Sequence, residues 1–315
     1  MRAAVVDRYG PPGVVRITET SDPEPRAGEV LVRVHATAVT AGDARIRGGS
    51  FPTGMGLPGR LALGLRGPRR PVLGMVLSGT VETAGSAVTE LTAGDRVSGM
   101  AGARMGAHAE LVAVEAARLV RTPAGVSHEA AAAAIFGGTT AAHFLHDVAR
   151  LRAGQDVLVV GASGAVGTSA VQLAAHAGAR VTGVSSGRNA ELLRRLGVDE
   201  HVDYTTTDPA GLGRRFDAIL DAAGTLTPRT ARGLVRDGGT AVLAVADLWQ
   251  MLQARGPVKA GSAPGGAELV ARVLAPLERD ELDPVIQEAL PLAEIARAYE
   301  IVDSRRKVGN LVVLP

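Results

Sequence analysis

The sequence predicts an α/β protein that combines a doubly wound parallel sheet with a second, β-rich domain shaped as a sandwich or a partly open barrel. The prediction depends on two observations. Short runs of β-branched residues fill the first 120 residues, separated by breaks such as Gly10-Pro11-Pro12-Gly13. After Pro123, apolar strands and helices alternate, which is typical of a parallel sheet with helices on both faces.

The β-rich part contains six predicted strands. From Val30 to Val34, valines alternate with other residues, and this period of two predicts a strand with one buried face. The six strands are predicted at residues 2–6, 14–20, 29–39, 79–84, 95–99 and 108–114. Residues 51–71 show no periodicity, which indicates either a mobile segment or a loop on the substrate side.

The second part alternates between strands and helices. Strands are predicted at residues 156–160, 180–184, 216–221 and 240–245. Helices are predicted at residues 127–134, 139–150, 165–177, 190–196 and 227–235. Ser127 is a candidate N-cap for the first helix, because its hydroxyl can accept a free N–H group of the first turn.

The C-terminal tail is predicted to return to the β-rich part. It has helices at 268–277 and 292–302 and strands at 284–288 and 309–314. The last strand is very apolar, so we expect it to pair with the first sheet and to make the first domain discontinuous. We therefore assign residues 1–120 and 256–315 to the β-rich domain and residues 121–255 to the domain of the parallel sheet.

Composition excludes several classes of function. The 315 residues include no cysteine, which excludes a disulfide framework, a thiolate metal site and a cysteine nucleophile. The formal net charge of +2 gives no argument for a nucleic acid partner. No apolar stretch approaches the roughly 18 residues that a membrane helix needs, and no signal peptide follows Met1. We expect a cytoplasmic protein.

The strongest chemical signal is a glycine-rich turn between a strand and a helix. Residues 161–167 read Gly-Ala-Ser-Gly-Ala-Val-Gly, which is close to the dinucleotide-binding pattern although Ala162 stands at one glycine position. A glycine at 164 lets the backbone approach a pyrophosphate, and a glycine at 167 lets the helix pack closely on the strand. The alternative is a tight connection without a ligand. The residues predicted to bind the pyrophosphate at the helix N-terminus are Ser163, Gly164, Ala165, Val166 and Gly167.

The end of the next strand indicates which dinucleotide is bound. An NAD site usually has a carboxylate there for the ribose 2′-hydroxyl, but this chain has no carboxylate between Val184 and Glu191. It has Ser185, Ser186 and Arg188 instead, and two hydroxyls with a guanidinium suit a 2′-phosphate. The pattern therefore favours NADPH over NADH. In the alternative interpretation the serines only cap a helix and Arg188 is solvated.

Further motifs occur in order along essentially the whole chain. They are Gly28-Glu29-Val30-Leu31-Val32, Val72-Leu73-Gly74, Gly94-Asp95-Arg96-Val97, Gly106-Ala107-His108-Ala109-Glu110, the turn at 161–167 and His201-Val202-Asp203-Tyr204. With these motifs the chain resembles the medium-chain dehydrogenase/reductase superfamily, and within it the zinc-free quinone oxidoreductase (zeta-crystallin-like) branch.

The resemblance implies a GroES-like catalytic domain beside a Rossmann domain, with NADPH in the cleft between them. It implies that Thr140 lies beside the nicotinamide and that Tyr204 lies near the adenosine phosphate. It also implies a homodimer that forms through an edge strand at residues 240–245.

The resemblance further implies that no metal is bound. Zinc-dependent members of the superfamily have a Cys where this chain has Thr40, His-Glu where it has Met75-Val76, and a further ligand near Phe136. Because a zinc site needs three or four converging N, S or O ligands, we expect none here.

Thr40 and Arg45 are the candidates for polarising the substrate. Quinone oxidoreductases often have Asn and Tyr at these two positions, and related enoyl-thioester reductases place a Tyr proton donor near Ser50 or Phe51. This chain has no Tyr in that stretch. Since Arg is effectively never deprotonated, the proton donor is unassigned, and water is a candidate source.

Together these observations predict an NADPH-dependent, zinc-independent oxidoreductase that transfers hydride to a quinone, an enone or an enal. Three alternatives stay open: an enoyl-thioester reductase, a redox-neutral biosynthetic enzyme that keeps the fold, and a non-catalytic NADPH-binding sensor. The missing Tyr argues against the first alternative, and the polar residues Thr40, Arg45 and Thr140 argue against the last.

Overall fold

Two sheets of opposite character organise the chain in the computed structural model, which describes residues 1–51, 53–54 and 56–315. One sheet is largely antiparallel and the other is entirely parallel. The predicted fold class, a doubly wound parallel sheet with a β-rich, unclosed second domain, is confirmed. Among the described residues, no helix is both long and apolar enough to cross a membrane.

The N-terminal part supplies five strands of the antiparallel sheet and a separate strand pair. Its elements are β1 (Arg2–Val5), β2 (Arg16–Glu19), β3 (Glu29–Ala38), α1 (Ala41–Gly48), α2 (Gly56–Leu63), β4 (Val76–Ala84), β5 (Arg96–Met100), β6 (Leu111–Glu115) and β7 (Leu119–Arg121). In β3, Val30, Val32 and Val34 are buried while Arg33 and His35 are exposed, as the alternation predicts. Helix α2 lies in the segment that has no periodicity in sequence.

The second part forms the parallel sheet. Its elements are α3 (His128–Ala142), β8 (Asp156–Val160), α4 (Ala165–His176), β9 (Arg180–Ser185), α5 (Ala190–Arg195), β10 (Glu200–Asp203), β11 (Phe216–Asp221), α6 (Pro228–Leu234), β12 (Val235–Leu243), α7 (Leu248–Gln253) and β13 (Val258–Ala260). Ser127 caps α3 by accepting the N–H of Ala130 at 3.1 Å. Helix α3 continues directly into a π-helical turn at His143–Val148, so the two helices predicted between 127 and 150 form one continuous unit.

One prediction about the parallel sheet is wrong. The strand order is β10-β9-β8-β11-β12-β13, and β12 pairs with β13 through Ala241 and Val258. The strand predicted at 240–245 is therefore internal, and the edge belongs to β13. The same pairing carries the parallel sheet past residue 255, to Ala260, and the domain boundaries stay a prediction.

The tail returns to the antiparallel sheet, as predicted. It consists of α8 (Ala267–Glu278), β14 (Ile286–Pro291), α9 (Ile295–Asp303) and β15 (Asn310–Leu314). Val312 and Val313 of β15 pair antiparallel with β3, and the sheet order is β14-β15-β3-β4-β5-β7, with β6 also paired to β3. Leu311, Val312 and Val313 are fully buried, and the burial of this apolar run stabilises the closing strand.

The two parts meet along α3 and the segment before β15. A Cβ atom built on Gly137 would lie 2.2 Å from the carbonyl oxygen of Ala165, and one on Gly138 would lie 2.7 Å from Val273 Cγ1 in α8. Gly309 forms a parallel bridge with Gly164. The contacts of Gly137 and Gly309 fall at the start of α4, so this helix N-terminus lies where the two sheets meet.

Candidate active site

The turn after β8 ends in an uncapped helix N-terminus. Gly161 has a φ of 79°, and its N–H and that of Ala162 donate to the Val184 carbonyl at 3.1 and 2.9 Å. Gly164 is the N-cap of α4 and makes no side-chain hydrogen bond there. Within the described residues, the N–H groups of Val166 and Gly167 have no acceptor. Free N–H groups at the positive end of a helix dipole form a binding site for a phosphate.

The two later glycines of the turn differ in what surrounds them. A Cβ on Gly167 would lie 2.1 Å from the Gly161 carbonyl oxygen, so the close packing of strand and helix requires glycine there. A Cβ on Gly164 would meet only that same oxygen, at an ordinary 3.5 Å. Packing within the protein therefore does not require a glycine at 164, and the space above this backbone can hold a pyrophosphate.

The residues predicted for the 2′-phosphate and the adenosine phosphate do not all face one pocket. Ser185 is buried, and its hydroxyl contacts the Ser186 carbonyl at 3.1 Å and His201 Nε2 at 3.0 Å. Ser186 is half-exposed, Arg188 and Tyr204 are exposed, and Arg188 donates to the Arg306 carbonyl at 3.1 Å. Ser185 thus turns into the domain, and the other three side chains remain at its rim.

Asp203, to which the sequence assigned no role, holds the loop at this rim in place. A Cβ on Gly187 would lie 2.4 Å from Asp203 Oδ2, and the carboxylate accepts the N–H and hydroxyl of Thr205 at 2.9 and 2.8 Å. Hydrogen bonds from Thr205 and the Gly187 N–H lower the pKa of Asp203. Asp203 therefore fixes the loop between β9 and α5. Its position within the motif 201–204 was the available signal.

Thr140 lies on α3, one turn after the contact between Gly137 and α4. Its hydroxyl donates to the Phe136 carbonyl at 2.8 Å, which leaves its oxygen lone pairs for a donor from outside the helix. Because residues three apart share a helix face, Thr140 extends the face that touches the start of α4.

Thr40 is buried and forms a capping box with Asp43 at the start of α1. The Thr40 hydroxyl donates to Asp43 Oδ2 at 2.6 Å, and the Thr40 N–H donates to the same oxygen at 2.9 Å. Asp43 Oδ1 accepts the Gly74 N–H at 3.2 Å. The hydroxyl hydrogen of Thr40 is therefore committed to Asp43, and the expectation that this hydroxyl donates to a substrate carbonyl is not supported by this geometry.

The residues at the zinc-ligand positions do not fit a zinc ion. A Cβ on Gly42 would lie 3.0 Å from Met75 Sδ and 3.4 Å from Thr40 Oγ1, so two of the three positions come together in space. They offer a hydroxyl already bonded to Asp43 and a thioether, where zinc prefers thiolate, imidazole or carboxylate. Among the described residues, no group of three or more metal-binding side chains is found.

Arg45 lies two residues beyond Asp43 on α1. Burial lowers the pKa of its guanidinium, and the nearby Arg305 guanidinium lowers it further. Arg305 follows α9 and has a φ of 57°. In the part of the chain that the structure describes, no carboxylate lies within ion-pair distance of either guanidinium. This pair of cations is therefore available to an anion or to a developing negative charge.

A buried polar cluster beneath α1 was not foreseen. His108 is buried, accepts from or donates to the Tyr299 hydroxyl at 3.2 Å, and contacts the Ala38 carbonyl through Nε2 at 3.3 Å. Burial lowers the pKa of His108. Arg47 is also buried, pairs with Asp303 at 2.6 Å and lies 5.2 Å from the centre of the Tyr299 ring. These contacts fix α1 against α9.

The chain matches two protein families, an alcohol dehydrogenase GroES-like domain over residues 26–124 and a zinc-binding dehydrogenase over residues 196–313. A quinone oxidoreductase of Pseudomonas aeruginosa is 31% identical over 330 residues, which cover 98% of this chain and 97% of that protein. A chloroplastic NADPH-dependent alkenal/one oxidoreductase of Arabidopsis thaliana is 27% identical over 327 residues, covering 100% of this chain and 80% of that protein. The solved structure of a quinone oxidoreductase from Coxiella burnetii aligns with a TM-score of 0.90 at 26% identity, covering 100% of this chain and 99% of the other.

Proposed function

Because the chain belongs to the medium-chain dehydrogenase/reductase family, in its zinc-free quinone oxidoreductase branch, we propose that it transfers hydride from NADPH to a quinone, an enone or an enal. The observation that carries the proposal is the uncapped N-terminus of α4 beside Gly164. Hydride donation is the chemistry that the cofactor supplies when bound.

Residues on both sides of the domain junction support binding of the dinucleotide. The N–H groups of residues 166–167 suit the pyrophosphate, and Thr140 on α3 borders the nicotinamide. Ser186 and Arg188 suit the adenosine 2′-phosphate, because a guanidinium forms charge-assisted hydrogen bonds with phosphate oxygens, and Tyr204 suits a place near the adenosine phosphate. NADPH is favoured for this reason, and the name of the Arabidopsis relative agrees.

Arg45 is the residue that we infer polarises the acceptor. Without a metal, negative charge that develops on an acceptor oxygen needs donors held by the protein. The Arg45 guanidinium carries a fixed charge with no carboxylate partner within the described residues, and Thr40 holds α1 in place through Asp43. Arg45 does not release a proton at neutral pH, so water supplies the proton to the product.

We further propose how the two domains divide the work, how the protein assembles and where it is located. The catalytic domain comprises the N-terminal residues and the tail, and the nucleotide-binding domain lies between them. A homodimer would form at the sheet edge now assigned to β13, since an unpaired edge strand invites pairing with a second copy. The cytoplasm is the expected location.

Titration calorimetry with NADPH and NADH tests the cofactor assignment. We expect Arg188→Ala to weaken NADPH binding about tenfold and to leave NADH binding unchanged, because only NADPH carries the 2′-phosphate. Arg194→Ala, which removes an exposed arginine of α5, is the control and should change neither affinity. Equal weakening of both cofactors by Arg188→Ala would contradict the assignment.

A turnover assay distinguishes a reductase from an NADPH-binding sensor. Tight NADPH binding without oxidation by any member of a panel of 1,4-benzoquinone and enones would favour a sensor or a redox-neutral enzyme.

A further inference from the structure

The segment before β15 lies directly against the phosphate turn, residues 161–167. The Gly309 N–H donates to the Ser163 carbonyl at 2.8 Å, and Gly309 and Gly164 form a parallel bridge. The Lys307 ammonium donates to the Gly309 carbonyl. Lys307 therefore lies close to the N-cap of α4, although 143 positions separate it from Gly164 in sequence.

The N-terminus of α4 and the Lys307 ammonium are both positive, and they are adjacent without a counter-charge. The start of α4 has no side-chain cap and carries the positive end of the helix dipole. In the described part of the chain, no carboxylate lies within ion-pair distance of Lys307, and the Gly309 carbonyl is the one acceptor that its ammonium has. Burial lowers the pKa of Lys307 to about 8. A half-buried cation at a helix N-terminus is unfavourable until an anion lies between them.

We propose that Lys307 is a ligand of the cofactor pyrophosphate, and that its ammonium leaves the Gly309 carbonyl for a phosphate oxygen when a dinucleotide binds. This inference rests on the proposed cofactor site. It adds to the site a residue outside the glycine-rich turn. This residue would bind the pyrophosphate, which NADPH and NADH share. Arg188, in contrast, would contact the 2′-phosphate, which only NADPH carries.

The other charged groups around Lys307 carry fixed charges. Arg305 and Arg306 precede it in the same segment, and Arg188 reaches the Arg306 carbonyl. Asp283, before β14, directs its carboxylate to the Val285 N–H at 2.7 Å. The guanidinium groups do not titrate below pH 10, so Lys307 is the group whose proton changes near pH 8.

The first test compares both dinucleotides by titration calorimetry at pH 7. We expect Lys307→Met to weaken NADPH and NADH binding equally, by roughly ten- to a hundredfold, because a charged hydrogen bond to the shared pyrophosphate is lost. Lys307→Arg should retain most of the affinity. Lys259→Met, at the other lysine of the chain and on β13, is the matched control and should bind like the native protein.

Proton uptake provides a readout that a structural role would not produce. At pH 8.5 the native protein should take up about half a proton or more on binding NADH, measured by calorimetry in buffers of different ionisation enthalpy, because the anion selects the charged ammonium. Lys307→Met should take up none, and its NADH affinity should not change between pH 7 and 9.5. The native affinity should fall about tenfold over that range.

Each failure has a different meaning. If the native protein binds neither dinucleotide, the proposed function is wrong. If the native protein binds both and Lys307→Met stays within twofold of it, only the role of Lys307 is wrong. A loss confined to NADPH would overturn the proposal as well, because it would assign Lys307 to the 2′-phosphate.

Discussion

Gly137 and Ala165 are in backbone contact: a Cβ on Gly137 would lie 2.2 Å from the Ala165 carbonyl oxygen. Gly137 lies on the helix that carries Thr140, and Ala165 is the first residue of α4. One contact therefore sets the distance between α3, which carries Thr140, and α4, whose N-terminus is the proposed pyrophosphate site.

Replacement of Gly137 tests this contact against helix propensity. Alanine is favoured over glycine in a helix by about 1 kcal/mol, and Gly233→Ala in α6, where a Cβ meets nothing within 4 Å, should be neutral or stabilising. We expect Gly137→Ala to destabilise by roughly 1–3 kcal/mol, because the helices must separate. Urea denaturation of the two variants measures the difference, and equal stabilities would show that the contact is not tight.

Alanine at the two later glycines of the phosphate turn, Gly164 and Gly167, should have separable effects. Gly167→Ala places a Cβ 2.1 Å from a carbonyl oxygen, so we expect a loss of about 1–3 kcal/mol of folding free energy. Gly164→Ala should leave the melting temperature within a few degrees of the native value and weaken NADPH binding at least tenfold, because the methyl group occupies the pyrophosphate space. Thermal melts and calorimetry separate the two. Normal NADPH affinity in Gly164→Ala would place the cofactor elsewhere.

The capping box of α1 should contribute measurably to stability. Thr40→Val removes the hydroxyl that accepts the Asp43 N–H at 3.2 Å and donates to its carboxylate. A lost N-cap costs about 1 kcal/mol, and the buried carboxylate then lacks one donor, so we expect a total loss of roughly 1–3 kcal/mol. Thr40→Ser keeps both bonds and is the control. Urea midpoints that do not distinguish valine from serine would contradict this role.

Acid should destabilise the protein through His128. Burial, the neighbouring His35 ring and Arg96 lower the pKa of His128 to about 4, and its Nδ1 lies 2.7 Å from Ser78 Oγ. The unfolded chain binds this proton near pH 6.5. The stability from neutral His128 is therefore present above pH 6.5 and declines as the pH falls toward 4.

The decline attributable to His128 is about 1–2 kcal/mol, roughly half of the full linkage because the ring is half-exposed. Chemical denaturation between pH 4.5 and 7 measures it. His128→Gln should flatten this part of the profile, whereas His146→Gln, at an exposed histidine, should keep it. If the stability of His128→Gln depended on pH as steeply as that of the native protein, another group would be responsible for the loss of stability in acid.

Local patterns predicted the elements whose signals are continuous in sequence. Alternating valines in β3, the glycine-rich turn and the apolar final strand each carry their own periodicity or spacing, and the structure forms them where expected. Strand β13, with three residues, is too short to show a period, and its absence from the prediction made β12 an edge.

The site was less predictable because its contacts join distant residues. Ser185 turns inward because His201 stands on the neighbouring strand. His108 and Tyr299 meet across 191 positions. Lys307 reaches the phosphate turn only because Gly309 pairs with Gly164. No local pattern indicates which of these side chains face one another, since tertiary pairing alone brings them together.

The most direct test of hydride transfer uses NADPH that carries deuterium at nicotinamide C4, mixed with the native protein and a panel of quinones and enones without oxygen. We expect that at least one acceptor oxidises NADPH in a one-to-one ratio, and that a reduced enone carries the deuterium on carbon, as detected by mass spectrometry. Saturating NADPH binding with no oxidation by any acceptor would contradict it.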